Sequence, residues 1–171
     1  MPRASHRRLA LASLAVAAVI GGGACAAGDR SPASTDVDRQ AEVAERGEDV
    51  MGFDLDAIVH RFTPDGTGGI EDVTARGPGD EQEIADVRAH LEAEAERFSA
   101  SDFSAAAAIH GEDMPGLQEL EAAGSLLNVE YTTLPDGARV TYSSADPDVV
   151  KALHDWFDAQ LSDHGEHAEH G

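Results

Sequence analysis

The chain has 171 residues, with 12 Lys and Arg against 33 Asp and Glu, a formal net charge of −21 and one cysteine. So negative a field repels nucleic acid and anionic membrane surfaces and attracts cations or a basic partner. A single cysteine excludes an internal disulfide, so the fold must be held by its core, and the length suits one domain with additions.

Residues 1–25 have the layout of an export signal. "MPRASHRR" is basic, "LALASLAVAAVI" (9–20) is apolar and too short for a typical transmembrane helix, and "GGGACAAG" supplies small residues. "GGAC" resembles the lipobox of bacterial lipoproteins, which makes Cys25 the candidate lipidation site, although Gly22 stands where that motif usually has Leu or Val. Ordinary cleavage after "ACA" (24–26) is the alternative. The expected location is therefore the outer face of a cell membrane, as a lipoprotein, or the periplasm or medium. Without Arg3, Arg7 and Arg8, nine basic residues face all 33 acids.

Residues 26–50 hold few large apolar side chains and read as a disordered tether, spanning roughly 30 Å as a coil. The expected domain is 51–164. "AIVHRFT" (57–63) has strand composition, "PDGTGG" (64–69) is a turn, and "IEDVTA" (70–75) is the return strand. Residues 80–98 read as a helix with acids in its first turn. In the segment 99–125, a loop at "HGEDMPG" and a short helix from Pro115 to Ala123 are expected. "LLNVEYTTL" (126–134), "PDG" and "ARVTYSS" (138–144) make a second hairpin. Residues 146–161 make a second helix, with Asp146 as N-cap and Pro147 at its first position.

The two halves match in order and in detail, "FTPDG" against "TLPDG" and "VRAHLEAEAERF" against "VKALHDWFDAQL". One ββα unit has too little core to stand alone. The expectation is an α+β fold: a tandem ββα repeat giving a four-stranded, mostly antiparallel sheet with two helices on one face. Residues 165–171 follow as a His-rich tail.

No nucleophile elbow, phosphate-binding loop, His-Glu-x-x-His or haem-attachment motif occurs, so no enzymatic activity is expected. Histidines remain. Imidazole is a common metal ligand, and carboxylates suit the same ions. His60 alternates with Ile58 and Phe62 and should point inward. His90 and His154 fall roughly 100° and 90° from the centres of their helices' apolar faces, at edges where a half-buried side chain can meet a cleft. "HGEDM" offers His110 and Met114, an imidazole and a thioether that would suit copper. His164 would face the core if the second helix runs on by one turn, with Gly165 as its stop. His167 and His170 would dangle. Each histidine alone fits a structural role; together with Met114 they make a candidate site for copper or zinc. The function expected is an exported, membrane-tethered, metal-responsive binding module. The alternative is an acidic protein-interaction domain, with structural histidines and a basic protein partner.

"MGFD", "HRF", "VRAHL", "FSASDFSA", "IHG" and "ALHDWFDAQLSDH" resemble a group of small uncharacterised bacterial domains, often exported, some labelled aspartate carbamoyltransferase. The resemblance places His60, His90, His110, His154 and His164 where that pattern has histidines, although Val59 stands where it often has a second one. The enzyme label does not fit. Carbamoyl transfer needs a basic phosphate loop, and this chain has none and only one lysine.

Overall fold

The computed structural model describes residues 32–77 and 80–171. The export signal expected at 1–25, with Cys25, lies outside the described residues. No helix among those described is long and apolar enough to cross a membrane.

The elements in chain order are helix α1 (Pro32–Met51), strands β1 (Ile58–Asp65) and β2 (Gly68–Ala75), helices α2 (Glu81–Ser99), α3 (Ser104–His110) and α4 (Leu117–Ala123), strands β3 (Asn128–Leu134) and β4 (Gly137–Ser143), helix α5 (Pro147–His164) and strand β5 (Ala168–His170). The fold is α+β. Local chemistry accounts for its regular parts. At the first hairpin the Asp65 carboxylate accepts from the Thr67 backbone N–H at 2.7 Å and its hydroxyl at 2.9 Å, closing a two-residue turn. Asp80 caps α2 through the Gln82 N–H, and Asp146 caps α5 through the Asp148 N–H.

The sheet has five strands in the order β3-β4-β2-β1-β5 and is mixed. The first four are antiparallel, and β5 runs parallel to β1, pairing His60 with Ala168 and Phe62 with His170. This corrects the expected four-stranded sheet with two helices. Each half does supply a hairpin and then a helix. However, α2 lies mainly over β3 and β4, whereas α5 lies over β1 and β2. Each helix thus reaches the strands of the other half.

The tether expected at 26–50 is corrected from residue 32 onward, since 32–51 form α1, docked against α5 and α3, while 26–31 lie outside the described residues. Arg39, Val43, Gly47 and Met51 recur every four residues along one side, and Val43 and Met51 are buried. Only two large apolar residues hold this stripe, and its anchor is ionic, so composition alone hid it. The tail at 165–171 does not dangle either. A 3-10 turn (Gly165–His167) leads into β5, and Gly171 N–H donates to the Phe62 carbonyl. Arg76 fastens the turn by donating to the carbonyls of Ile58 and Glu166 at 2.6 and 2.5 Å.

The core between sheet and helices centres on aromatic rings. Trp156 meets Phe98 edge-on at 5.7 Å and Tyr142 at 5.5 Å, and Phe98 stacks on Phe103 at 4.2 Å. Gly69 lets α5 approach: a Cβ there, at φ +156°, would lie 2.5 Å from the Phe157 ring and 2.6 Å from the Thr63 carbonyl. Trp156 has no exposed surface. Trp156→Ala should cost about 3–5 kcal/mol, read as a lower urea midpoint with an unchanged denaturant slope.

Candidate functional site

The inward face of the sheet turns polar at one end. His60, in the middle of β1, points inside as its alternation with Ile58 and Phe62 requires, and is buried. α5 extends to His164, whose side chain therefore enters the same interior, and Gly165 at φ +54° ends the helix by donating to the Leu161 carbonyl. The His60 and His164 rings stack with centroids 4.6 Å apart. His110, the last residue of α3, is buried and meets His164 edge-on at 5.2 Å. Three imidazoles from chain segments some fifty residues apart thus share one interior cluster.

Asp163 orders it. Its Oδ2 accepts from His110 Nδ1 at 2.9 Å. A carboxylate has no proton to give, so the hydrogen of this bond sits on His110 Nδ1. Arg39 of α1 forks the same carboxylate, Nε to Oδ1 at 2.8 Å and an Nη to Oδ2 at 2.7 Å, and that Nη also donates to the His110 carbonyl at 2.7 Å. Burial raises the Asp163 pKa, but the hydrogen bonds from His110 and Arg39 outweigh it and hold the carboxyl below its usual range.

The imidazoles differ from solvated ones. Burial, followed by the neighbouring rings of His90 and His110, pushes His60 from 6.5 down to about 3. Burial likewise holds His164 well below its usual value, and the adjacent imidazoles add to this. Both are neutral at physiological pH, with lone pairs available. His60 Nδ1 and His167 Nδ1 are buried without a hydrogen-bond partner. Between the cluster and α1 lies a cavity of about 220 Å³, lined by His164, His167, Asp163 and Gln40 on its polar side and by Val43 and Leu55 on its apolar side. Among the described residues, no three His, Cys, Asp or Glu side chains already stand in metal-holding geometry.

The other residues singled out in sequence lie elsewhere. His90, on α2, meets Phe53 edge-on at 5.4 Å, and Phe53 also contacts His60, so a phenyl ring stands beside both imidazoles. His90 Nε2 lies 3.5 Å from Glu94. His154 stands ten residues before His164 on the same helix, about 15 Å along its axis. Its Nε2 donates to the carbonyls of Asp65 and Gly68, pinning α5 to the first hairpin turn. The expected grouping of His154 with the cluster is corrected: the half-buried edge that suggested a cleft meets a turn. Met114 is buried in the α3–α4 connection and lines a second cavity, of about 570 Å³, with Arg39, Asp113 and Asp163. Sequence reasoning missed Asp163, Arg39 and the inward placement of His167. The one local sign was the adjacency of Asp163 and His164, since neighbouring helical residues can serve two sides of one cluster.

A second buried polar group lies nearby. Glu71 of β2 is buried and accepts from the Tyr142 hydroxyl at 2.8 Å. Burial raises it from 4.5 to about 7, and Glu94 is raised by burial and then by Glu71. These groups set opposite pH limits. Glu71 favours the fold fully below 4.5 and loses that contribution as pH rises through about 7. His60 favours it above 6.5 and loses that contribution as pH falls toward about 3. The urea midpoint should peak between these limits, and Glu71→Gln should flatten the alkaline decline while leaving the acid one; an unchanged alkaline decline would remove Glu71 as its cause.

Comparison with protein-family models, with curated proteins and with solved structures gave no match.

Proposed function

We propose that the imidazole cluster is a binding site for copper or zinc in a non-enzymatic module. The carrying observation is the meeting of His60, His110 and His164 in the interior, with Asp163 orienting His110. A ring nitrogen buried without a partner costs about 1–3 kcal/mol, which a ligand on His60 Nδ1 or His167 Nδ1 would relieve. Neutral imidazoles are the ligating form, and a carboxylate holding the far nitrogen of a histidine is the usual support of a metal ligand. The rings stack in the described state, so ligation requires them to turn about their side-chain torsions. His167 is a further candidate ligand, since it lines the same cavity as His164.

A second reading, an acidic domain that holds a basic partner, has its own observation. Most basic side chains are committed internally. Arg76 and Arg88 donate to backbone carbonyls, while Arg39, Arg61, Arg139 and Lys151 pair with carboxylates. The remaining outer charge is overwhelmingly negative. We read the two ββα halves as a repeat on either view; the support is their shared order of hairpin and helix. We also propose export with a lipid on Cys25, supported by the layout of residues 1–25. Cys25→Ser should then move the protein from the membrane fraction to the medium; wild type found wholly in the soluble fraction would end that proposal.

Calorimetric titration with Cu²⁺ and Zn²⁺ separates the two functional readings. His60→Ala, His110→Ala and His164→Ala should each weaken binding by about tenfold or more, and His154→Ala should leave it unchanged. Truncation after Gly165, harmless if the tail dangled, should weaken binding too, because it removes His167 and β5. If the three substitutions keep both fold and affinity, the cluster is not the site. Binding of a cationic peptide that fades with rising salt, with no uptake of either ion, would favour the interaction domain.

A further inference from the structure

Helix α1 roofs the cluster with few holds. It buries Val43 and Met51, Gln40 Nε2 donates to the Ser162 carbonyl at 2.9 Å, and Arg39 forks Asp163. Most of the stability of a helix in a protein comes from tertiary packing rather than from intrinsic propensity, so the order of α1 depends on these holds. Beneath it lies the 220 Å³ cavity that His164 and His167 line. Elements with little buried apolar surface open locally, at a cost below that of global unfolding.

The latch and the cluster share one group. The carboxylate that Arg39 clamps is the carboxylate that accepts from His110 Nδ1, and Arg39 also holds the His110 carbonyl. With α1 docked, Asp163 is fixed and so is the His110 ring. With α1 released, Asp163 loses both guanidinium donors, water reaches the cavity, and the ring is free to turn.

We propose that α1 is a releasable cover over the imidazole cluster, and that Asp163 is the positioning residue linking the docking of this cover to occupancy of the cluster; the second half rests on the metal-binding reading. An ion that needs His110 in place favours the docked cover by the factor by which the docked cover favours the ion. Entry and exit of the ion pass through the open state.

The test uses the full chain and two readouts. In metal-free protein, Arg39→Gln should speed hydrogen exchange of α1 amides, and the reaction of His60, His110 and His164 with diethyl pyrocarbonate, by tenfold or more. Exchange in α2 and β4 should not change, Arg39→Lys should restore part of the protection, and Glu42→Gln, on the outer side of the same helix, should match wild type. Unchanged α1 exchange and histidine reactivity would overturn the cover, as would equal acceleration in α2 and β4. Zn²⁺ should then slow α1 exchange in wild type, and Arg39→Gln should weaken Zn²⁺ affinity. Zinc uptake in calorimetry with no change in α1 exchange would overturn the link alone. No zinc or copper uptake at all would overturn the metal reading and the link with it, while the cover stands or falls on the metal-free arm.

Discussion

Asp163 accepts N–H donors from two other parts of the chain, the Arg39 guanidinium of α1 and the His110 imidazole of α3, while almost none of its own surface meets water. A carboxylate buried without such partners would cost several kcal/mol, and removal of one partner from a buried pair commonly costs 3–5 kcal/mol. The geometry around it is therefore fixed. α1 must lie where Arg39 can fork the carboxylate, α3 must end where His110 Nδ1 can reach it, and α5 must continue to its last turn to present it. His164 follows Asp163 by one residue, about 100° around the helix, so the same turn that aims the carboxylate at α1 and α3 sends an imidazole under the sheet.

The interior divides along α5. Its earlier turns contribute Val149, Leu153, Trp156 and Phe157, which pack on Tyr142, Phe98 and Phe62 as an apolar aromatic core. Its last turns contribute Gln160, Asp163 and His164, all buried and all polar. The strands follow the same division, since His60 and Glu71 stand on the inner face beside Phe62 and Val73. The polar half leaves nitrogens of His60 and His167 and an oxygen of Gln160 without partners, and the aromatic half leaves one such atom, Trp156 Nε1. A small domain keeps such groups at a functional site more readily than in a core that only holds it together.

What was legible in the sequence was local. Both hairpins follow from "PDG" between β-rich runs, both long helices from their apolar period and caps, and the inward aim of His60 and His164 from strand alternation and helix rotation. What was not legible depends on partners far along the chain. α1 is fixed by an ion pair between residues 124 positions apart, and its composition matches a solvated tether. β5 is three residues long and joined to the sheet by its backbone, so no side-chain pattern could announce it. The crossing of each helix onto the other half's strands is a tertiary choice that leaves the order of elements unchanged. The histidines at helix edges show the limit most clearly: the same half-buried position placed His154 against two turn carbonyls and His90 against a phenyl ring and a carboxylate. Edge position predicts contact with something polar, and only the fold says what.

Charge distribution bears on how such a cluster would work. The basic residues are largely spent as internal staples, so the outer surface keeps the negative field of the acids, and that field raises the local concentration of cations without selecting among them. Selection needs a different chemistry. Neutral imidazoles in a partly apolar cavity offer nitrogen lone pairs that hard, hydrated ions such as Mg²⁺ and Ca²⁺ accept poorly and borderline transition metals accept well. On the metal-binding reading the two tasks are thus separated in space: carboxylates on the outside attract cations, and uncharged rings inside discriminate. The division also explains why Asp163 is better engaged than free. Clamped by Arg39 and bonded to His110, it orients an imidazole while its charge is offset by the guanidinium, so Asp163 is not an unpaired anion that would retain the hard cations that the surface field attracts.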